Sequence, residues 1–225
     1  MVSLPTKRRN VARVIAAVLV LSLLTPVAAS ALTHTPADLR AGTMESRPDG
    51  ATVVGIQGFD FFGQGVTEKP ARLLSIGPGG DVTWLSDGPE VDARWFYDVD
   101  PVGDGEVLVS TANPNGTVAI RLDRQTGEVN WTQYLPYHDT HDIDSLGGGK
   151  LLVANMRQTD DETGVSNDRI LVYDRHADEV VWEWHFREHY PNSTDGGFDK
   201  DWTHVNDVDR VGEGLYLASP RNFDQ

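Results

Sequence analysis

A nine-residue unit recurs three times in this chain and limits its fold more than any other feature. Ile76–Trp84 reads IGPGGDVTW, Asp123–Trp131 reads DRQTGEVNW and Asp174–Trp182 reads DRHADEVVW. Each is a strand end, a tight polar turn and a strand closing on tryptophan. Gly or Asp stands where the turn needs positive φ or a capping side chain. A second unit alternates with it: YDVDPVGDGEVLVSTAN from Tyr97, HDIDSLGGGKLLVANMR from His141 and NDVDRVGEGLYLASPR from Asn206. The offsets are 44 and 65 residues, and the inserted stretch REHYPNSTDGGFDKDW accounts for much of the difference. One period is therefore strand, glycine turn, strand, loop, strand, polar turn, strand. Four antiparallel strands in about 45 residues is the size of one propeller blade. A β-sandwich is the alternative, but it does not require one unit to recur in register.

The expected fold is thus all-β, a β-propeller of four-stranded antiparallel blades. A first blade fits residues 50–90, a second 97–135 and a third 141–186, and a fourth opens at Asn206. Closed rings need about four to eight blades, and an open end leaves edge strands unpaired. About three and a half blades therefore predict a fragment of a longer ring, or a ring completed by a second chain.

Residues 1–31 are read apart from the fold. TKRRNVAR is basic, VIAAVLVLSLLTPVAASA is apolar, and Ala29-Ser30-Ala31 has the small residues of a cleavage site. This is an export signal by charge, length and end, with a retained membrane anchor as the alternative. Residues 32–49 then form a linker, and 50–225 the propeller domain. The chain holds 19 Lys+Arg against 34 Asp+Glu. Such an acid excess excludes nucleic acid as a partner, because phosphate binding needs cationic patches. The acid-rich, lysine-poor composition fits a salt-loving source and an ordinary acidic exported protein equally. Cysteine is absent, which removes disulfides and thiolate metal sites.

Inner strands of a propeller line its central channel, so side chains at their entry gather at one mouth. Tyr97, His141 and Asn206 hold equivalent places in successive blades, with His138 and His204 just upstream. Arg157 and Arg221 follow one hairpin later. Arginine offers a planar fork to an oxyanion. Histidine near neutral pH donates a hydrogen bond, moves a proton or attacks as a nucleophile. The other conspicuous residues have plainer readings. The Asp-aliphatic-Asp triplets recur even where histidine is missing and read as turn and capping carboxylates. Trp84, Trp131 and Trp182 read as core packing, and His176, His185 and His189 as surface residues. His138-x-x-His141 lacks helical i, i+4 spacing and a third ligand, so no metal and no cofactor is expected.

WTHVNDVDRVGEGLYLASPRNFDQ, with HDTHDIDSLGGGKLLVANMR and the DRxTGEVxW turns, resembles the arylsulfotransferase family of exported β-propellers, particularly its archaeal branch. The resemblance covers roughly Ala51 to Gln225 and is most specific from His138 onward. It implies a six-bladed ring that moves a sulfuryl group from a phenolic sulfate ester to a phenol through a sulfated histidine. It assigns His204, His141 and Arg221 to the oxyanion clamp and acid/base work, with Asn206 beside them. His138, Arg157 and Tyr97 complete the expected substrate contacts. The family's nucleophile comes from a later blade than any in this chain. The oligomeric state is not read from the sequence. The competing classes are a non-catalytic propeller that binds ligands on its loop faces, and a quinone-dependent propeller.

Overall fold

The structure is a computed structural model that describes residues 49–62, 65–88, 91–103, 105–137, 139–194 and 201–223. The signal or anchor reading falls on residues outside these, as does His138. Among the described residues no helix is long and apolar enough to cross a membrane.

Antiparallel sheets follow one another along the chain. The first contains β1 (Thr52–Ile56), β4 (Arg72–Ile76) and β5 (Val82–Ser86), in the order β1-β4-β5. A separate hairpin, β2 (Phe59–Phe62) with β3 (Gly65–Glu68), interrupts it. The second sheet is β6 (Trp95–Val102), β7 (Glu106–Asn113), β8 (Gly116–Asp123) and β9 (Val129–Leu135). The third is β10 (Thr140–Gly147), β11 (Lys150–Asn155), β12 (Arg169–Asp174) and β13 (Glu179–His185). Both run in strict sequence order, each strand pairing with the next. A fourth sheet begins with β14 (Val205–Gly212) and β15 (Leu215–Pro220). The first strands of successive sheets, β6, β10 and β14, lie side by side. Repeated four-stranded meanders with adjacent first strands are the blades of a β-propeller.

The first blade differs from the expected four strands. Its polar turn joins β4 to β5, as the same turn joins β8 to β9 and β12 to β13. That alignment makes β1 the second strand of its blade, and no innermost strand precedes it among the described residues. Turn chemistry explains why the units superpose. The fifth residue of each turn is left-handed: Gly80 at φ 87°, Gly127 at 73° and Asp178 at 57°. Asp123 and Asp174 cap their turns, each accepting two backbone N–H groups through one carboxylate oxygen.

The core lies between blades. Val107 and Val109 of β7 face the first blade with Leu73 and Phe96, while Leu108 between them faces Ile143 and Val153 of the third. In the third blade, Leu152 and Ala154 face Val205, Val208 and Trp202. Period-2 alternation thus supplies two layers at once, which is why the second strand of each unit is a continuous apolar run.

The repeated tryptophans are not core, contrary to expectation. Trp84 and Trp131 are half-buried and Trp182 is 40% exposed. Each sits on the outermost strand and covers the next blade. The Trp84 indole donates to Arg124 O at 2.9 Å, Arg175 lies 3.4 Å above the Trp131 ring, and Trp182 meets Tyr216. They are brackets at the rim, anchored by one polar or cation–π contact.

Gly116 shows how closely the second blade packs. It sits at φ 146°, and a Cβ there would lie 2.6 Å from Leu135 O. Gly116→Ala should destabilise the protein by about 1–3 kcal/mol, read as a lower urea midpoint. An unchanged midpoint would contradict the packing described.

Candidate functional site

Each innermost strand carries a β-bulge at the same place. Pairing with the second strand slips between Phe96 and Val99, between Thr140 and Ile143, and between Val205 and Val208. Two residues on one strand therefore oppose one on its neighbour. The bulged pairs are Tyr97-Asp98, His141-Asp142 and Asn206-Asp207. A bulge re-aims side chains, and these six residues are the lining of one cavity of about 240 Å³. A larger groove of about 610 Å³ opens between the outer strands of the first two blades. Among the described residues, no histidine or arginine lines it.

Around that cavity the structure brings together six of the seven residues singled out from sequence. The Tyr97 and His141 rings are 4.2 Å apart, and His141 meets His204 edge-on at 5.2 Å. His141 Nδ1 lies 2.9 Å from Asn206 Oδ1. His204, 3% exposed, has its Nδ1 3.0 Å from Arg221 Nη2 and 3.4 Å from Arg157 Nη2. The two arginines are not equivalent in register. Arg221 N donates to His204 O where Met156 N donates to Asp139 O, so Arg221 occupies the place of Met156. Arg157 reaches the same point from one residue further along. Arg221 is 55% exposed at its side chain.

Two carboxylates complete the cluster, and sequence reasoning missed both. Asp139 accepts from the Tyr97 hydroxyl at 3.1 Å and pairs with Arg157 Nη1. Asp201 accepts from Arg157 Nε at 2.9 Å and lies 2.6 Å from His204 Nδ1. The signal for Asp139 was its place two residues before His141, as His204 stands two before Asn206. Asp201 was hidden in the acidic insertion REHYPNSTDGGFDKDW. Asp139, Arg157 and His204 all hold left-handed backbone, at φ 47°, 54° and 43°. Such conformations cost about 1–3 kcal/mol each in non-glycine residues and concentrate at functional sites.

Electrostatics set the protonation states. Burial holds the His141 and His204 pKa values below the ordinary imidazole value, and the nearby Arg157 adds to this. Both rings are therefore neutral at pH 7. Burial and Asp139 push the Tyr97 hydroxyl up, so it stays a donor. Burial alone would raise Asp201, but hydrogen bonds from Arg157 and His204 outweigh it and hold the carboxyl below its usual range.

The Asp-aliphatic-Asp triplets are not turn residues. Asp98/Asp100, Asp142/Asp144 and Asp207/Asp209 lie within β6, β10 and β14 and run along the inner strands away from the histidines. Some stitch blades together: Asp142 Oδ2 accepts from Val208 N at 2.6 Å. Asp98 lies against Asp142 and Asp100 against Asp144, each pair across a blade boundary. Oxygens of Asp98, Asp100 and Asp142 fall within 4.8 Å of one another. Burial first, and like charge after it, raise these groups, which favours one proton shared between neighbours. Asp98 and Asp144 rise to about 6 and Asp142 to about 8.

Fold and site together define a β-propeller protein with an imidazole–guanidinium centre at the head of its inner strands. Among solved structures it is similar to BamB from Moraxella catarrhalis, at 15% identity and a TM-score of 0.33 over 61% of this chain and 38% of that one. It is also similar to a protein from Bacteroides fragilis described as exported, at 11% identity and a TM-score of 0.40 over 69% of this chain and 48% of that one. The chain thus spans less than half the length of both. No family model matches it, and no curated protein does.

Proposed function

We propose that this protein acts outside the cytoplasm as an aryl-sulfate sulfotransferase, moving a sulfuryl group from a phenolic sulfate ester to a phenol. The observation that carries the reading is the meeting of two neutral imidazoles and two guanidinium groups, drawn from the third and fourth blades, at one point. In the first half-reaction the ester S–O bond breaks, a histidine N–S bond forms, and the leaving phenolate takes a proton. In the second, the acceptor oxygen attacks sulfur, the N–S bond breaks, and the acceptor's proton passes to a base. No co-reactant is required. Charge gathers on the sulfuryl oxygens and on the bridging oxygens, where fixed donors and a proton carrier are most effective.

Arg221, with its side chain half-exposed, is assigned to the sulfuryl oxygens. His204 and His141 are assigned to the proton and to oxyanion contacts, with Tyr97 and Asn206 flanking the phenolic ring. The sulfated histidine is assigned to a later blade, following the resemblance to arylsulfotransferases. The proton-sharing Asp98–Asp142 pair lowers the negative charge beside an anionic substrate.

The test is release of 4-nitrophenolate from 4-nitrophenyl sulfate by the full gene product, with and without phenol as acceptor. Phenol should accelerate release with ping-pong kinetics. His204→Ala and Arg221→Ala should each lower kcat/KM by about 10²-fold or more. Undiminished transfer in both variants removes the site assignment. No transfer by the unaltered protein removes the enzymatic reading and leaves a binding propeller.

A further inference from the structure

We infer that Asp201 is the positioning residue that makes His204, and not His141, the proton carrier of this site. The inference rests on the sulfuryl-transfer reading for what the proton is used for, but its geometric part stands alone.

His204 Nδ1 has three neighbours and can satisfy only one. Asp201 Oδ1 is 2.6 Å away, Arg221 Nη2 3.0 Å and Arg157 Nη2 3.4 Å. Guanidinium nitrogens only donate, and an ionised carboxylate only accepts. If Nδ1 carried a lone pair, the shortest contact would set it against an acceptor. The proton therefore sits on Nδ1 and is donated to Asp201. A neutral ring then has its lone pair on Nε2, ready to take a proton.

The carboxylate is held from several sides. Arg157 grips it through Nε at 2.9 Å and Nη2 at 3.3 Å, and Arg221 lies 3.9 Å from its second oxygen. The stretch between Asp201 and His204 is pinned as well. Trp202 is fully buried with its indole donating to Thr194 O at 2.8 Å. Thr203 donates its hydroxyl to buried Asp168 at 2.6 Å. A carboxylate fixed this way sets ring orientation and tautomer, and it stabilises the imidazolium formed after proton uptake.

His141 provides the internal contrast. Its Nδ1 faces the neutral amide oxygen of Asn206 at 2.9 Å, and Asp139 Oδ1 lies 3.7 Å from its Nε2. A neutral amide, and a carboxylate beyond hydrogen-bond distance, favour the cation less than a carboxylate in direct contact does. His141 is thus the weaker base of the pair, suited to hold substrate and not to carry the proton. Among the described residues, the charged and titratable groups facing His204 are Asp201, Arg157, Arg221 and His141. Of these, Asp201 alone favours the imidazolium.

The experiment is ring ¹⁵N NMR of histidine-labelled protein, with the His204 signals identified by their loss in His204→Ala. The unaltered protein should show a neutral His204 ring protonated at Nδ1. In Asp201→Asn the amide can turn its NH₂ toward the ring, and the proton should move to Nε2. The same variant should lose about 10²-fold or more in kcat with KM little changed, while Asp201→Glu should recover most of the rate. Asp201 is part-exposed, and Asp201→Glu keeps the charge if Asp201→Asn folds poorly. A ring protonated at Nε2 in the unaltered protein, or a tautomer unmoved in Asp201→Asn, overturns the inference. If NMR gives the expected tautomers but no sulfuryl transfer is found, the functional reading falls and the Asp201–His204 pairing survives.

Discussion

Between pH 6.5 and 9 this protein should lose stability as pH rises, by about 2 kcal/mol or roughly 5 °C in Tm. The cause is the row of carboxylates along the inner strands. Asp142 is 6% exposed, and its pKa in the fold is about 8 against an ordinary 3.8. Burial is the largest cause, followed among the raising effects by the neighbouring Asp98, Asp207 and Asp144. The folded state therefore holds a proton that the unfolded chain releases near pH 4. Stability from such a group is fully present below the unfolded value and is lost as pH climbs through the folded one. Asp98 and Asp144, at about 6, contribute the same sign over a lower range. His141 and His204 act oppositely, because their folded values are depressed and stability is gained as pH rises through the ordinary imidazole range. Above pH 6.5 that gain is largely complete, and Asp142 decides the slope. Asp142→Asn keeps an acceptor for Val208 N and offers an amide donor to Asp98. It should flatten the curve and melt above the unaltered protein at pH 9. A Tm that is level from pH 6.5 to 9, or an equally steep fall in Asp142→Asn, would show that the pair does not share a proton in the fold.

Trp202→Ala should be the most damaging single truncation near the site, at about 3–5 kcal/mol. The ring is 1% exposed and packs against Phe223 at 5.0 Å in the layer between the third and fourth blades. It also lies between Asp201 and His204 in sequence, so its loss frees both partners of the proposed proton-carrying pair. Trp202→Phe keeps most of the packing and loses the indole bond to Thr194 O, which should cost about 1 kcal/mol. Urea unfolding distinguishes the two. A Trp202→Ala loss no larger than that of Trp202→Phe would mean the layer closes around the gap, and would remove Trp202 as the anchor of this segment.

Strand content, turn positions and blade order were legible in the chain because they are local. Positive φ in a polar turn selects glycine or aspartate at Gly80, Gly127 and Asp178, and alternation along β7 and β11 writes two buried faces into a continuous apolar run. The grouping of Tyr97, His141 and Asn206 was legible for the same reason, since equivalent places in a repeat become neighbours once blades stack. That no innermost strand precedes β1 among the described residues was not legible, because the outer turn recurs there whether or not a fourth strand does. Nor was the rim position of Trp84, Trp131 and Trp182, since an aromatic ring at a regular interval suits a core and a bracket alike.

Only tertiary structure decided what the polar residues do. The bulge that turns His141 and Asp142 into one cavity depends on pairing with β11, and no pattern in β10 marks it. Arg157 and Arg221 look like counterparts in the repeat, yet they stand one residue apart in register and converge on His204 from different backbone conformations. Asp139 and Asp201 gain their part only when the fold sets them against imidazole and guanidinium. Local sequence governs torsions and which face is apolar, through steric and hydrophobic terms summed over near neighbours. Charge placement is governed by distances between segments far apart in the chain, and those exist only after the blades have packed.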